Sequence, residues 1–378
     1  MKKLLLGLVL VSGPGLSFAQ SSVTMFGVAD TAVEFTKADG TPHITRLVSG
    51  GNLASRLGLK GSEDLGGGLS AAFWLEAGIF FDSGAGAPTN LNNTPAGSVG
   101  GSGLAFNRQS TVSLLGRFGE VRLGRDVVPS SLSYVVFDAF GGVGIGNSSA
   151  VMLSNGVFSN VTALRASNTI SYFLPSDLGG WYGHVMGALG ENALNVVTTA
   201  TGGKHDGDYY GARVGYRNAR LNVALAAGRT RYDLLPTSAA VAGNVDRFNV
   251  GGSYDLGMMR LIGLASTERR ARGTGGIGSD VSFSFGAVIP RGPSEFKLQY
   301  AQVKQNVIAG SNDARQLSAG WVYNVSKRTA LYTTLSFLDN RSNSKLYVLN
   351  TTGGFATPAT ATPGGNVTGF DAGIRHTF

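Results

Sequence analysis

The last nine residues alternate strictly. Phe370, Ala372, Ile374, His376 and Phe378 fall on one parity, and Asp371, Gly373, Arg375 and Thr377 on the other. Successive side chains of a strand point to opposite faces, so this segment predicts a strand with one apolar and one polar face. The pattern recurs upstream. Val281, Phe283, Phe285 and Ala287 alternate with Ser282, Ser284 and Gly286, and Phe296, Leu298 and Tyr300 with Glu295, Lys297 and Gln299. Leu317, Ala319, Trp321 and Tyr323 alternate with Gln316, Ser318, Gly320 and the apolar exception Val322; Leu331, Leu335 and Phe337 alternate with Tyr332, Thr334 and Ser336. Period-two patterning of this length argues for strands with one wet face. A soluble protein would bury the apolar faces under a second layer. No such layer is visible in the pattern, which indicates an all-β fold: a transmembrane antiparallel β-barrel with lipid outside and water inside.

Two kinds of connector separate the strands. Tight turns occur at Glu63-Asp64-Leu65-Gly66-Gly67-Gly68, Gly116-Arg117-Phe118-Gly119, Ser176-Asp177-Leu178-Gly179-Gly180, Arg217-Asn218-Ala219-Arg220, Asp255-Leu256-Gly257 and Asn324-Val325-Ser326-Lys327. Between them run long segments rich in Gly, Ser, Thr, Asn and Ala, such as residues 83–105, 126–164 and 340–366. Short turns on one rim and long loops on the other characterise outer-membrane barrels, and a strand on each side of each turn makes about sixteen. The segments 259–268 and 109–115 phase least cleanly. No linker or composition break divides the chain after residue 19, so residues 20–378 are expected to form a single domain.

Residues 1–19 read as a secretion signal. Lys2-Lys3 precede a short apolar stretch, Gly13-Pro14-Gly15 breaks it, and Ser17-Phe18-Ala19 places small residues for cleavage between Ala19 and Gln20. The apolar run falls short of the ~20 residues a spanning helix needs, and no later segment is longer. There are 57 glycines, 14% charged residues and no cysteine, so disulfides cannot stabilise the exported chain. Mean hydropathy, at +0.09, is ordinary for a soluble protein, so the barrel is visible in periodicity alone. The net charge of +8 becomes +6 once Lys2 and Lys3 leave.

Several stretches resemble the general diffusion porins of Gram-negative outer membranes, beta-proteobacterial branch. They are Ser22-Val23-Thr24-Met25-Phe26-Gly27-Val28-Ala29-Asp30, the run from Ser55-Arg56-Leu57-Gly58-Leu59-Lys60 to Gly68, Asn107-Arg108-Gln109, Val121-Arg122-Leu123-Gly124-Arg125, Ser326-Lys327-Arg328-Thr329 and Gly373-Ile374-Arg375-His376-Thr377-Phe378. The resemblance covers essentially the whole exported chain. It implies a homotrimer of barrels passing small hydrophilic solutes and ions, with the long third loop (residues 126–164) folded into the lumen. It also implies that Arg56, Arg108 and Arg165 face that loop from the wall, and that Phe378 is an assembly signal.

Parity supports two of those arginines. Arg56 shares a face with Gly58 and Lys60, and Arg165 with Ser167, Thr169 and Ser171. A lipid-facing Arg near the midplane costs ~2–4 kcal/mol, so these side chains should point into water. Glu76 and Asp138, the single acid between Val127 and Leu164, are the expected counter-charges at the constriction. Asp30 and Glu34 share a parity on the first strand. Lys60, Arg122, Arg213, Arg247 and Arg375 are expected to line the lumen, either as a solvated wall or as contributors to selectivity. Anion preference follows if the arginines outweigh Asp138. Residues 82–105 are a candidate for reaching into a neighbouring subunit.

Other chemistry finds little support. His43, His184, His205 and His376 have no metal-ligand spacing, so neither metal nor cofactor is expected. There is no G-x-S-x-G elbow, and Gly141 to Gly146 resembles a phosphate loop only in glycine content. Phe26, Phe80, Phe81, Trp181, Tyr210, Tyr254, Trp321 and Tyr323 read as interfacial girdles rather than a sugar-stacking slide. Glu268-Arg269-Arg270-Ala271-Arg272 is a local basic cluster, read as an external loop that could meet anionic lipopolysaccharide; nucleic acid is not expected as a partner. Three functions remain: a passive porin, a substrate-specific channel with a saturable site, and a barrel-scaffold enzyme lacking a recognisable nucleophile–base set.

Overall fold

The computed structural model describes residues 22–89, 103–153, 162, 164–191, 203–232, 243–271, 277–307, 310–311, 313–347 and 362–378. The expected signal segment with its Ala19–Gln20 cleavage site lies outside them, as do parts of the long loops.

The strands run β1 (Ser22–Ala38), β2 (Ile44–Ser49), β3 (Arg56–Gly66), β4 (Leu69–Gly78), β5 (Gln109–Gly116) and β6 (Gly119–Val127). Two short helices follow, α1 (Pro129–Val136) and α2 (Ser149–Met152). Then come β7 (Arg165–Phe173), β8 (Trp181–Ala188), β9 (Tyr209–Arg217), β10 (Leu221–Tyr232), β11 (Gly243–Asp255) and β12 (Arg260–Ala271). The last are β13 (Ile277–Arg291), β14 (Ser294–Val307), β15 (Gly310–Ser311), β16 (Ala314–Asn324), β17 (Thr329–Asn340) and β18 (Asn366–Thr377).

All pairings are antiparallel and the ladder closes on itself, β1 against β18 with Asp30 opposite Arg375 and Glu34 opposite Asp371. β2 and β3 are two halves of one stave, since both pair with β1, and β15 is a two-residue extension of the β14–β16 hairpin. The wall therefore has sixteen staves, as the turns predicted. Closure removes both sheet edges, which an open sheet in lipid could not satisfy. The apolar parity faces outward: Val33, Leu225, Phe283, Leu317 and Leu335 are all exposed on the barrel surface. Their neighbours Glu34, Ala226, Ser284, Gln316 and Ser336 are buried on the inside.

The break between β2 and β3 has a local cause. The Asp30 carboxylate accepts backbone N–H bonds from Gly51 (3.1 Å), Asn52 (3.0 Å) and Leu53 (2.6 Å), and the Tyr332 hydroxyl donates to it as well. These bonds replace the ladder partners that residues 50–55 give up on leaving the wall.

The core lies inside the barrel, where the chain after β6 packs against the wall. Tyr134, Phe137, Phe140, Met152 and Leu153 cluster with Ala224, Ile262, Leu264 and Val288. Ile145 and Val151 cluster with Ala38, Val303, Ala314, Leu338 and Val367. This explains why β12 phased poorly: its inward positions Ile262 and Leu264 are apolar because the inserted loop, not water, covers them. The basic cluster read as an external loop is corrected at the same strand. Residues 268–271 belong to β12, with Glu268 buried inside and Arg269 exposed outside. The girdle reading holds for Trp181, Tyr210, Tyr254, Trp321 and Tyr323, which are exposed outside, and fails for Phe26, which shares the inward parity of Val28 and Asp30.

Candidate functional site

Four arginines gather on one stretch of wall inside the barrel, two of them on a single carboxylate. β3 begins at Arg56, β4 supplies Glu76, Arg108 immediately precedes β5, and β7 begins at Arg165. Arg108 Nε donates to Glu76 Oε1 at 2.6 Å, and its backbone N–H bonds the Glu76 carbonyl at 3.1 Å. Arg56 Nε lies 3.7 Å from the same Oε1, and its Nη1 donates to the Ala54 carbonyl at 3.2 Å. Arg165 Nε donates to the carbonyl of Arg108 at 2.7 Å, which brings a third guanidinium against the first two. The fourth, Arg125, donates from Nε to the Asn107 carbonyl (2.7 Å) and from Nη1 to Ser167 Oγ (2.9 Å). Backbone carbonyls orient these side chains without neutralising them, and Glu76 is the carboxylate that Arg108 bonds and Arg56 approaches.

Arg125 escaped the sequence reading because strict alternation puts it on the outward face with Val121 and Leu123. The register of β6 against β7 shifts between Gly124 and Asp126, and Asn168 opposite has φ 56°. The irregularity re-aims the strand, so that Arg125 and Asp126 are both buried. A glycine within a strand followed by an arginine of the wrong parity was the available signal.

The remaining basic residues divide by role. Arg122 is spanned by Glu120 (2.7 Å) and Asp126 (2.6 Å) and lies over the Phe173 ring at 4.3 Å. That trio carries one net negative charge beside the arginine cluster. Arg213 and Arg247 face inward as expected, but both touch the inserted loop. Arg213 lies over Tyr182 (5.0 Å) and Phe137 (5.8 Å). Arg247 donates to Glu268 at 2.9 Å and to Ser131 Oγ at 3.1 Å. Arg375 donates to Asn52 Oδ1 at 2.8 Å, bracing the break in the second stave. Lys60 lies against the rings of both Phe26 and Trp74.

Asp138 is placed away from the arginines. Its carboxylate accepts from the backbone N–H groups of Phe140 (2.7 Å), Gly142 (3.1 Å) and Ser148 (2.8 Å), from Ser148 Oγ (2.5 Å) and from Gln299 Nε2 (3.1 Å). Burial pushes this carboxyl above the usual aspartate range, and the donors from Ser148, Gly142 and Phe140 pull the other way. It organises the loop and ties it to β14, leaving no free oxygen aimed at the passage. Tyr134 to Ser266, Asn249 Nδ2 to the Ser130 carbonyl (2.7 Å) and Gln316 Nε2 to the Ile145 carbonyl (2.8 Å) complete the anchoring. These anchors tie the loop to β11, β12, β14 and β16, and none of them involves the arginine wall.

Phe378 is exposed on the outer surface, with backbone bonds in both directions to Gly27 (3.1 and 3.0 Å). Among the described residues, no group of three or more His, Asp or Glu is arranged to hold a metal ion.

Comparison with known proteins agrees with this architecture. Residues 7–344 match the Gram-negative porin family. Outer membrane porin protein 32 of Delftia acidovorans is 38% identical over 381 residues, covering all of both chains. The structure of an anion-selective porin from Comamonas acidovorans superposes with a TM-score of 0.79 at 37% identity, covering 95% of this chain and 100% of that one. The trimer form of OmpT from Vibrio cholerae shares the fold at 15% identity, with a TM-score of 0.65 over 95% of this chain and 99% of its own.

Proposed function

The chain belongs to the Gram-negative porin family, and from that premise we propose that the channel prefers anions and that Arg56, Arg108, Arg125 and Arg165 set the preference. The protein is an outer-membrane porin: a closed barrel whose water-filled lumen passes small hydrophilic solutes by diffusion. Its relatives are channel proteins.

The observation carrying the proposal is the grouping of Arg56, Arg108 and Arg165 about the carboxylate of Glu76, with Arg125 bonded to the adjoining Asn107 carbonyl. An arginine is charged at any physiological pH, and its planar fork keeps donors free after one bond is spent on a carbonyl. Anions are therefore concentrated at this wall and cations depleted. The anion selectivity in the description of the Comamonas relative is consistent with the reading. The test is the reversal potential in a potassium chloride gradient across a planar bilayer; a potential of the sign set by potassium overturns it.

The functional unit is a homotrimer, supported by the trimer form described for the structurally similar OmpT. Exposed Arg269 and the Arg229–Asp246 pair on the loop-side rim face anionic lipopolysaccharide headgroups. The mature chain begins at Gln20, which N-terminal sequencing of the outer-membrane protein tests directly.

A further inference from the structure

On the short-turn side of the arginine cluster, the lumen wall carries two aromatic rings and an unpaired ammonium. Phe26 on β1 and Trp74 on β4 both face inward, with ring centroids 5.0 Å apart and planes at 62°. Phe26 lies against Gly58, where a Cβ would overlap its ring, so the glycine makes room for the aromatic in the wall. Lys60, two positions further along β3, holds Nζ 5.6 Å from the Phe26 centroid and 5.1 Å from that of Trp74. Trp74 Nε1 donates to Glu76 Oε2 at 3.2 Å, which links the rings to the arginine cluster. Lys60 is exposed and the rings are half-buried, so all three are open to the lumen. Among the described residues no carboxylate pairs with Lys60.

An ammonium over ring faces is attracted to them but keeps its charge and its outward donors. The site therefore offers a cation beside apolar surface, about 13 Å along β3 from the start of Arg56 at the usual strand rise. Arg56 and Arg108, by contrast, face a carboxylate. We propose that Phe26, Trp74 and Lys60 form an inner station that takes carboxylates bearing an apolar tail. The carboxylate pairs with the Lys60 ammonium while the tail covers the ring surface that Lys60 leaves open. Covering about 40 Å² of apolar surface favours a tailed over a short carboxylate by roughly fivefold. The inference rests on the anion-preferring reading above and adds a solute class to it.

Benzoate and acetate are the probes, each as its potassium salt against potassium chloride across bilayers holding the full-length porin. The relative permeability of benzoate to acetate is expected to exceed their free-diffusion ratio by roughly fivefold, and millimolar benzoate is expected to reduce the chloride current. In Lys60→Gln and in Phe26→Ala the ratio should fall toward that of free diffusion. Taking the ratio within one channel cancels changes in open area. Should either variant fail to assemble, the benzoate block of the parent channel still decides. A chloride-preferring parent that passes benzoate and acetate in their free-diffusion ratio refutes the inner station alone, as does a raised ratio unchanged in both variants. A parent that prefers potassium refutes the anion-channel reading itself.

Discussion

Removing charges of opposite sign from the arginine wall should move selectivity in opposite directions. The perturbations are Arg56→Ala with Arg165→Ala, and separately Glu76→Gln. The four arginines and Glu76 carry three net positive charges, and the adjacent Glu120–Arg122–Asp126 trio offsets one of them in part. At ~10 Å in water each unit charge shifts a permeating ion by ~0.4 kcal/mol, and ~0.3 kcal/mol survives screening at 10 mM salt. An anion is favoured and a cation disfavoured by that amount, so two to three net charges separate them by ~1.5 kcal/mol, about tenfold. Losing two arginines should reduce the preference to about twofold, and losing the Glu76 charge should raise it to about thirtyfold. At 1 M salt the Debye length is ~3 Å, so the variants and the parent should converge. Reversal potentials in potassium chloride gradients, measured at both ionic strengths, provide the assay. The reasoning fails if Glu76→Gln and the double arginine variant shift selectivity in the same direction, or if neither shifts it at 10 mM.

Deleting Phe378 should lower the yield of heat-modifiable barrel in the outer membrane, because the residue ends the closing strand and exchanges two backbone bonds with Gly27; equal assembly of the truncated chain would count against it. Arg247→Ala removes a charged partner of buried Glu268 and the bond to Ser131 on α1, so it should destabilise the barrel, read as a lower heat-modification temperature on gels. Gly144 has φ +70° and a Cβ there would overlap the Gly51 carbonyl, so Gly144→Ala should dislodge the inserted loop and increase open-channel current noise; a quiet channel of parental conductance contradicts that docking. Mild-detergent extracts should sediment as a trimer and insert with three conductance steps, whereas one step per insertion argues for a monomer.

Much of this molecule is legible in one dimension because lipid and water lie on opposite faces of a single sheet. Each strand must then alternate, and a reader of parity recovers the staves, the short-turn rim and the inward direction of Arg56, Asp30 and Arg247. Where the code fails, a third environment has intervened. Ile262 and Leu264 face inward yet are apolar, since the inserted loop covers them. Phe26 faces inward because Gly58 leaves space for its ring. Arg125 points against its parity because the register shifts beside it.

The alternation and the turns by themselves therefore determined a barrel of about sixteen staves, its lipid-facing surface and the inward direction of its charged side chains, since a charged side chain cannot face hydrocarbon without a penalty of ~2–4 kcal/mol. Only the tertiary structure decided which charges meet. Arg108 and Arg165 lie 57 positions apart and share a hydrogen bond, while Asp138 is joined to Gln299 across 161 positions and is thereby withdrawn from the arginines. Parity specifies a face but not a height along the barrel or a neighbour around it. Those follow from strand register, from the irregularity beside Gly124 and from the packing of the inserted loop.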